Sequence, residues 1–208
     1  MAAEVTAYQR ALRSGQGALR RAFLEAARRL LVEEGPGALT LRRIAGDVGC
    51  TTKVVYTMFG GKDGLAEALF TDGFERFRQR LLRVPAQGDP VAHLRALGVA
   101  YRQNALAVPD YYRVMFEQAI PGFVPSEEAR GHSRAVFEIL VRAVTACVTS
   151  GRFSADSDPE EVAHMLWASQ HGVVSLELAG YLTHEAAERQ HAALLDTVIG
   201  AHLTDRVF

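Results

Sequence analysis

Cysteine is scarce in this chain. There are two in 208 residues, Cys50 and Cys147, far apart and without companions at metal-ligand spacing. That excludes a disulfide framework and a cysteine-based zinc site, and it suits two reduced thiols. Long apolar runs are missing too. No stretch approaches the ~20 residues of a membrane span. The opening MAAEVTAYQRALRSGQG has no apolar core of the kind a secretory signal needs. A cytoplasmic location and no membrane partner are therefore expected. Apolar–polar alternation is absent, which argues against strands. No glycine-rich phosphate loop, nucleophile elbow or His-Glu-x-x-His pair occurs, so neither an enzyme nor a cofactor is expected. No internal repeat or low-complexity block interrupts the chain.

What is present is an ordinary globular composition, 49% apolar and 23% charged, rich in the helix formers Ala, Leu, Arg and Glu. The net charge of −1 conceals an asymmetry. Residues 1–62 carry ten Lys/Arg against five Asp/Glu, whereas residues 63–208 carry 13 against 19. A basic front on an acidic body is the pattern expected when only the front meets a polyanion, although solvated charged faces are common.

Helix signals run through the chain. The first fifteen residues read as a flexible tail. A first helix is expected over about 16–34, with Leu19, Phe23, Ala26, Ala27, Leu30 and Leu31 on one face, ended by EGPG at 34–37. Thr40 is a fitting N-cap for a short helix over 41–47, with Gly49 in the turn. Thr51 caps a third helix over 52–59, and the glycine pair at 60–61 breaks it. Six further helices are expected, over about 62–83, 90–107, 109–118, 126–150, 159–181 and 183–203. Asp89-Pro90 and Asp158-Pro159 supply cap-then-proline starts.

The stretch IAGDVGCTTKVVYTMFGGK, Ile44 to Lys62, joins two short helices through a glycine-containing turn, which is a helix-turn-helix. Leu41, Ile44, Ala45, Val48, Cys50, Val55 and Phe59 can form a small core with the first helix. Thr52, Lys53, Tyr56 and Thr57 remain on the outer face of the third. A helix fits the major groove, with its first turns reaching base edges. Lys62 opens the next helix, where its charge and the free backbone N–H groups favour a phosphate. The plainer reading is a tight core pair with a solvated polar face, and the charge asymmetry weighs against it.

LRRIAGDVGCTTKVVYTMFGGKDGL resembles the N-terminal domain of TetR-family transcriptional regulators over about Leu19 to Leu65, with Thr40, Ile44, Ala45, Gly49, Thr51, Tyr56, Phe59 and Lys62 in register. The sequence departs from the usual pattern at Cys50, where valine is usual, at Lys53, where glycine or proline is frequent, and at Met58, where histidine is frequent. The resemblance implies an all-α fold: a three-helix helix-turn-helix DNA-binding domain (16–61) followed by a six-helix ligand-binding and dimerisation domain (62–208). It implies that Thr51, Tyr56 and Lys62 hold phosphates and that Arg42, Thr52 and Lys53 read bases. Thr40, Arg43 and Thr57 complete the candidate DNA-binding set. The implied function is a ligand-responsive regulator, a repressor released from a palindromic operator on double-stranded DNA by a small-molecule effector. The implied homodimer forms through helices 159–181 and 183–203.

WASQHGVVSLELAG (167–180) is similar to the Trp-His-Gly signature of the WHG subgroup. It reads as a buried helix in which Gly172 and Gly180 let another helix approach. Aromatics and methionines in the body are more often plain core. They are also the default lining of a ligand pocket, and Tyr101, Tyr111, Tyr112, Met115, Phe116, Trp167 and His171 are the candidates for a mostly apolar or aromatic effector. Five histidines follow Ala163: His164, His171, His184, His191 and His202. Imidazoles on facing helices can bind zinc, but no cysteine or His-x-x-x-His pair accompanies them, so no metal site is assigned. The alternative function is a metal- or small-molecule-binding helical protein without DNA-binding activity.

Overall fold

A computed structural model describes the backbone at residues 7–86 and 88–204, and the side chains from residue 15 on, Pro36 apart. Among the described residues there are nine α-helices: α1 (Ala7–Glu34), α2 (Leu41–Val48), α3 (Thr52–Phe59), α4 (Lys62–Leu82), α5 (Pro90–Ala107), α6 (Pro109–Phe116), α7 (Glu127–Thr149), α8 (Pro159–Leu178) and α9 (His184–His202). One 3-10 turn, Pro36–Ala38, lies between α1 and α2. No strand occurs among these residues; a single bridge pairs Phe153 with Leu203. The all-α expectation is met. The tail expected over 1–15 is corrected from Ala7 onward, because α1 begins there, and residues 1–6 lie outside the described residues.

The chain divides into two compact units, Met1–Asp72 with Asp110–Ser126 and Gly73–Pro109 with Glu127–Phe208. Compactness therefore breaks within α4 rather than at the expected 61/62 boundary. Leu65, Ala66 and Leu69 on the first half of α4 are wholly buried, so that half folds into the first unit.

The first unit is built on the α1 stripe of Phe23, Leu24, Ala26, Ala27 and Leu30, all buried. Leu19 and Leu31 are only partly covered. Leu39, Ile44, Ala45, Val55 and Phe59 complete the core. Phe59 meets Phe23 edge-on at 5.8 Å, and the Arg20 guanidinium lies 4.9 Å over the Phe59 ring. Gly49 ends α2 at φ 76°, and its N–H donates to the Ala45 and Gly46 carbonyls. A left-handed residue at that place turns the chain into α3, and glycine takes the conformation without a Cβ penalty. An Arg29–Asp47 pair at 2.8 Å ties α1 to α2. Helix α6 belongs to this unit. Arg28 of α1 pairs with Asp110 at 3.1 Å, and the Tyr111 hydroxyl donates to the Asp72 carboxylate of α4.

The second unit packs α5, α7, α8 and α9 together, with α8 and α9 as an antiparallel pair and α5 against the other three. Asp89, Asp158 and Thr183 cap α5, α8 and α9 through side-chain bonds to free N–H groups, as the sequence signals require. Its polar centre is a bidentate ion pair, Arg102 to Glu177 at 2.9 and 2.7 Å, with His184 Nδ1 2.8 Å from the same carboxylate. Burial alone would raise the Glu177 carboxyl. The hydrogen bonds and charges of Arg102 and His184 outweigh it and hold the group below the usual range. Cys147 is wholly buried, and burial pushes its thiol up to about 11.

His191 of α9 is buried, and its Nε2 has no partner among the described residues. Burial first, then the Arg102 charge, lower its pKa from 6.5, against a bond to the Gly98 carbonyl and the Glu177 charge. The unfolded chain therefore takes up a proton that the folded one resists. This contribution is at its most favourable above pH 6.5 and is lost as pH falls from there through the lower folded value. The melting temperature is expected to drop on acidification across that window more steeply in the wild type than in His191→Gln. Parallel pH profiles for the two proteins would refute the assignment.

Candidate nucleic-acid interface and ligand sites

Helices α2 and α3 are each eight residues long, joined by Gly49, Cys50 and Thr51. Their buried residues face inward and leave one polar edge. Thr51 stands at the N-cap position of α3 in extended backbone, but its side chain makes no capping bond, so its hydroxyl is uncommitted beside the open N–H groups of α3. Arg42, Thr52, Lys53 and Lys62 are all exposed, and no side-chain hydrogen bond or ion pair among the described residues holds them. Tyr56 is 57% exposed. Its ring lies beside Gly61, where an added Cβ would sit 3.5 Å from Cε1. Six of the nine DNA candidates are thus uncommitted groups on this unit.

The other three are committed. The Thr40 hydroxyl accepts from the Arg43 N–H at 3.4 Å, so it caps α2. Arg43 makes a two-pronged pair with Glu34 of α1, with both side chains still well exposed. Thr57 donates to the Lys53 carbonyl at 2.9 Å, a bond within its own helix. Spacing alone places these residues near the interface, but their partners come from α1 or from the helix backbone.

The seven ligand candidates fall into different units. Tyr111, Tyr112 and Met115 are buried in the first, with Phe116 beside Tyr112 at 5.0 Å. Tyr101, Trp167 and His171 lie in the second. There Tyr101 OH is 3.2 Å from His171 Nδ1, and Tyr101 packs on Phe77 at 5.5 Å. Trp167 lies 6.0 Å from His171 and 6.1 Å from Phe137. The 167–180 segment is buried on one face only, through Gln170, Val173 and Val174. Trp167 is 37% exposed and Met165 is 40% exposed. Gly172 and Gly180 meet nothing within 4 Å, whereas Gly98 of α5 is the close approach, with Leu195 of α9 2.9 Å from an added Cβ. The second unit also carries an open groove of about 460 Å³ between the end of α4 and α5. None of the seven candidates lines it, because aromaticity selects them and the groove is aliphatic.

The late histidines each have a local contact: His164 with Phe137 at 4.4 Å, His171 with Tyr101, His184 with Glu177, and His202 with Ser157 at 3.0 Å, while His191 faces Gly98. Among the described residues no group of three or more His, Cys, Asp or Glu is placed to hold a metal ion, and no helix is long and apolar enough to cross a membrane.

Comparison with known proteins agrees with this geometry. Residues 23–69 match the family model of bacterial regulatory proteins, tetR family. Residues 94–201 match the tetracyclin repressor-like C-terminal domain. The HTH-type transcriptional regulator Rv1816 of Mycobacterium tuberculosis is 24% identical over 188 residues, covering 76% of this chain and 80% of that protein. A protein of unknown function from Rhodococcus sp. RHA1 superposes with a TM-score of 0.79 at 26% identity, covering 89% of this chain and 96% of that one. The TetR family transcriptional regulator PfmR from Thermus thermophilus, 18% identical with a TM-score of 0.68 over 85% of this chain and 96% of that one, shares the fold. With the C-terminal model alone spanning more than half its length and the helix-turn-helix model matching ahead of it, the chain belongs to the TetR family of bacterial regulatory proteins.

Proposed function

We propose that this protein is a cytoplasmic, ligand-responsive, sequence-specific DNA-binding regulator that represses transcription from a palindromic operator, rather than an enzyme. The observation that carries the reading is the uncommitted edge of α3 and the start of α4. Thr51, Thr52, Lys53, Tyr56 and Lys62 are exposed without a side-chain partner among the described residues, on the segment that matches the family's DNA-binding model. In this reading Thr51, Tyr56 and Lys62 hold phosphates, and Arg42, Thr52 and Lys53 face base edges. Thr40 caps α2 and Arg43 ties α2 to α1 while remaining beside the same edge, and Thr57 bonds within its own helix.

One helix-turn-helix covers few base pairs, and two held about 34–36 Å apart read a palindrome. Exposed Met165, Trp167, Leu176 and Leu194, with Tyr181 at 79%, support a homodimer through 159–181 and 183–203. Open space at Gly172 supports the same face. A small, mostly apolar effector that prefers one arrangement of the DNA-binding segments shifts the population toward it and so changes operator affinity.

The test is selection of bound duplexes from a random pool by the purified protein at moderate salt. An enriched palindrome supports the reading. No enrichment from a well-behaved dimer would favour the alternative of a small-molecule-binding helical protein. Lys62→Ala is expected to weaken binding to all sequences alike and to lower the salt slope by about 1; an unchanged slope would remove Lys62 from the phosphate contacts. Thr52→Ala is expected to alter which half-site is enriched. The same selected sequence as wild type would show that Thr52 does not read bases.

A further inference from the structure

The groove between the end of α4 and α5 has an unusual composition for a surface depression. Its floor and walls are aliphatic: Ala96, Val99 and Ala100 on one face of α5, and Val84 and Pro85 on the connection before it. Its rim carries two cations, Arg80 and Arg83. Neither has a side-chain hydrogen bond or ion pair among the described residues. By contrast, Arg78 one turn earlier on α4 and Arg95 and Arg102 on α5 are each paired with a carboxylate.

The two guanidinium groups sit three residues apart and share one side of the chain. The turn that carries them is held by the Arg83 N–H to Arg80 carbonyl bond at 3.2 Å and the Val84 N–H to Leu81 carbonyl bond at 3.0 Å. His93 Nδ1 lies 3.2 Å from the Pro85 carbonyl and pins the connection to α5, so the groove is formed before anything enters it.

A plainer role for these arginines is to offset the negative end of α4. That end carries about half a charge, and two full positive charges exceed it. The surplus faces an aliphatic trough in which Val99 is 47% exposed. We propose that this groove is the site of an aliphatic carboxylate effector. The anionic head lies between Arg80 and Arg83, with the Gln103 amide as a further donor, and the chain lies along Ala96, Val99 and Ala100. Guanidinium groups are the side chains best shaped to grip a carboxylate. The volume of about 460 Å³ is in the range of small-molecule sites. From Ala96 to Gln103 the helix rises about 10 Å, which suits a medium-length chain. No aromatic ring lines the trough, so an aliphatic body fits better than a flat one. The assignment rests on the regulator reading for the word effector, and on the groove alone for binding.

Octanoate, octanol and octylamine titrated into the full-length protein by calorimetry test it. Octanoate is expected to bind more tightly than octanol, and octylamine most weakly. Arg80→Gln/Arg83→Gln is expected to weaken octanoate at least tenfold while leaving octanol unchanged, and Val99→Glu is expected to abolish octanoate binding. Octanol matching octanoate on the wild type, or octanoate binding that survives the double substitution, would overturn the proposal. Dissociation of the dimer by Val99→Glu in sedimentation would do the same, since the groove would then be an interface between copies. Octanoate must also change affinity for the selected operator. Binding without that change removes the effector role, whereas a protein that takes octanoate and never binds DNA contradicts the regulator reading and leaves the groove in place.

Discussion

Gly64→Ala is expected to lower the melting temperature by roughly 6–12 °C and to abolish operator binding near physiological temperature. Gly64 is the third residue of α4. A Cβ built there falls far inside contact distance of the Phe59 carbonyl oxygen and 2.9 Å from the carbonyl carbon. The obstacle is backbone, so no rotamer change relieves it, and the first turn of α4 has to move away from the last turn of α3. Phe59 is part of the core against Phe23, so the displacement opens packing as well. A backbone clash of this kind falls at the upper end of the usual overpacking range, about 3 kcal/mol, and a chain of this size loses about 2–4 °C for each kcal/mol. The same movement separates Tyr56 and Lys62, the groups that flank the junction. Gly46→Ala is the control. Gly46 lies inside α2 with nothing within 4 Å of an added Cβ, so the substitution is expected to stabilise by about 0.5–1 kcal/mol through helix propensity. Thermal melts of the two variants decide it, and equal melting temperatures would refute the close-approach argument.

Glu177→Ala is expected to destabilise the second unit by about 3–5 kcal/mol. Its side chain is 7% exposed and that of Arg102 10%. Removing the carboxylate leaves a buried guanidinium whose remaining acceptors are the His184 carbonyl and ring nitrogen, each at 3.2 Å. Most of the cost is the stranded charge rather than the net worth of the pair, which exchange for apolar residues often preserves or improves. Arg102→Met/Glu177→Leu is therefore expected to recover most of the stability lost by either single change. Urea melts of the two single variants and the double variant form the cycle that measures it. A double variant as unstable as the sum of the singles would show that the pair does more than satisfy its own burial. The pair joins α5 to the α8–α9 corner, so its loss is expected to release the whole corner rather than fray one helix.

The helix boundaries are legible in the sequence because they are written in local chemistry. Asp89-Pro90, Asp158-Pro159 and Thr183 start helices through bonds to their own first turns, and Gly49 and Gly60 end them by taking left-handed backbone. The exposed edge of α3 is legible because inward residues at helical spacing leave the remaining positions outside. Gly64 is inconspicuous beside the pair Gly60 and Gly61. Its position in a helix one turn after a glycine break is the only local sign, and what makes it matter is a carbonyl of the preceding helix. Residues 7–15 carry no strong apolar stripe and so resemble a tail, yet they continue α1.

By itself the sequence determined an all-helical chain, the place of the helix-turn-helix, the caps that start α2, α5, α8 and α9 and the family, since all of these are written in residues a few positions apart. Tertiary structure decided which polar groups are free. Arg43 is taken by Glu34, nine residues away, and Arg102 by Glu177, 75 away, while Arg80 and Arg83 have no carboxylate among the described residues. It also decided that α6 joins α1 and the first half of α4, and that close helix approach falls at Gly98 rather than at Gly172 or Gly180. Each of these is settled by which helix faces meet, a property of packed pairs that no single helix carries in its own residues.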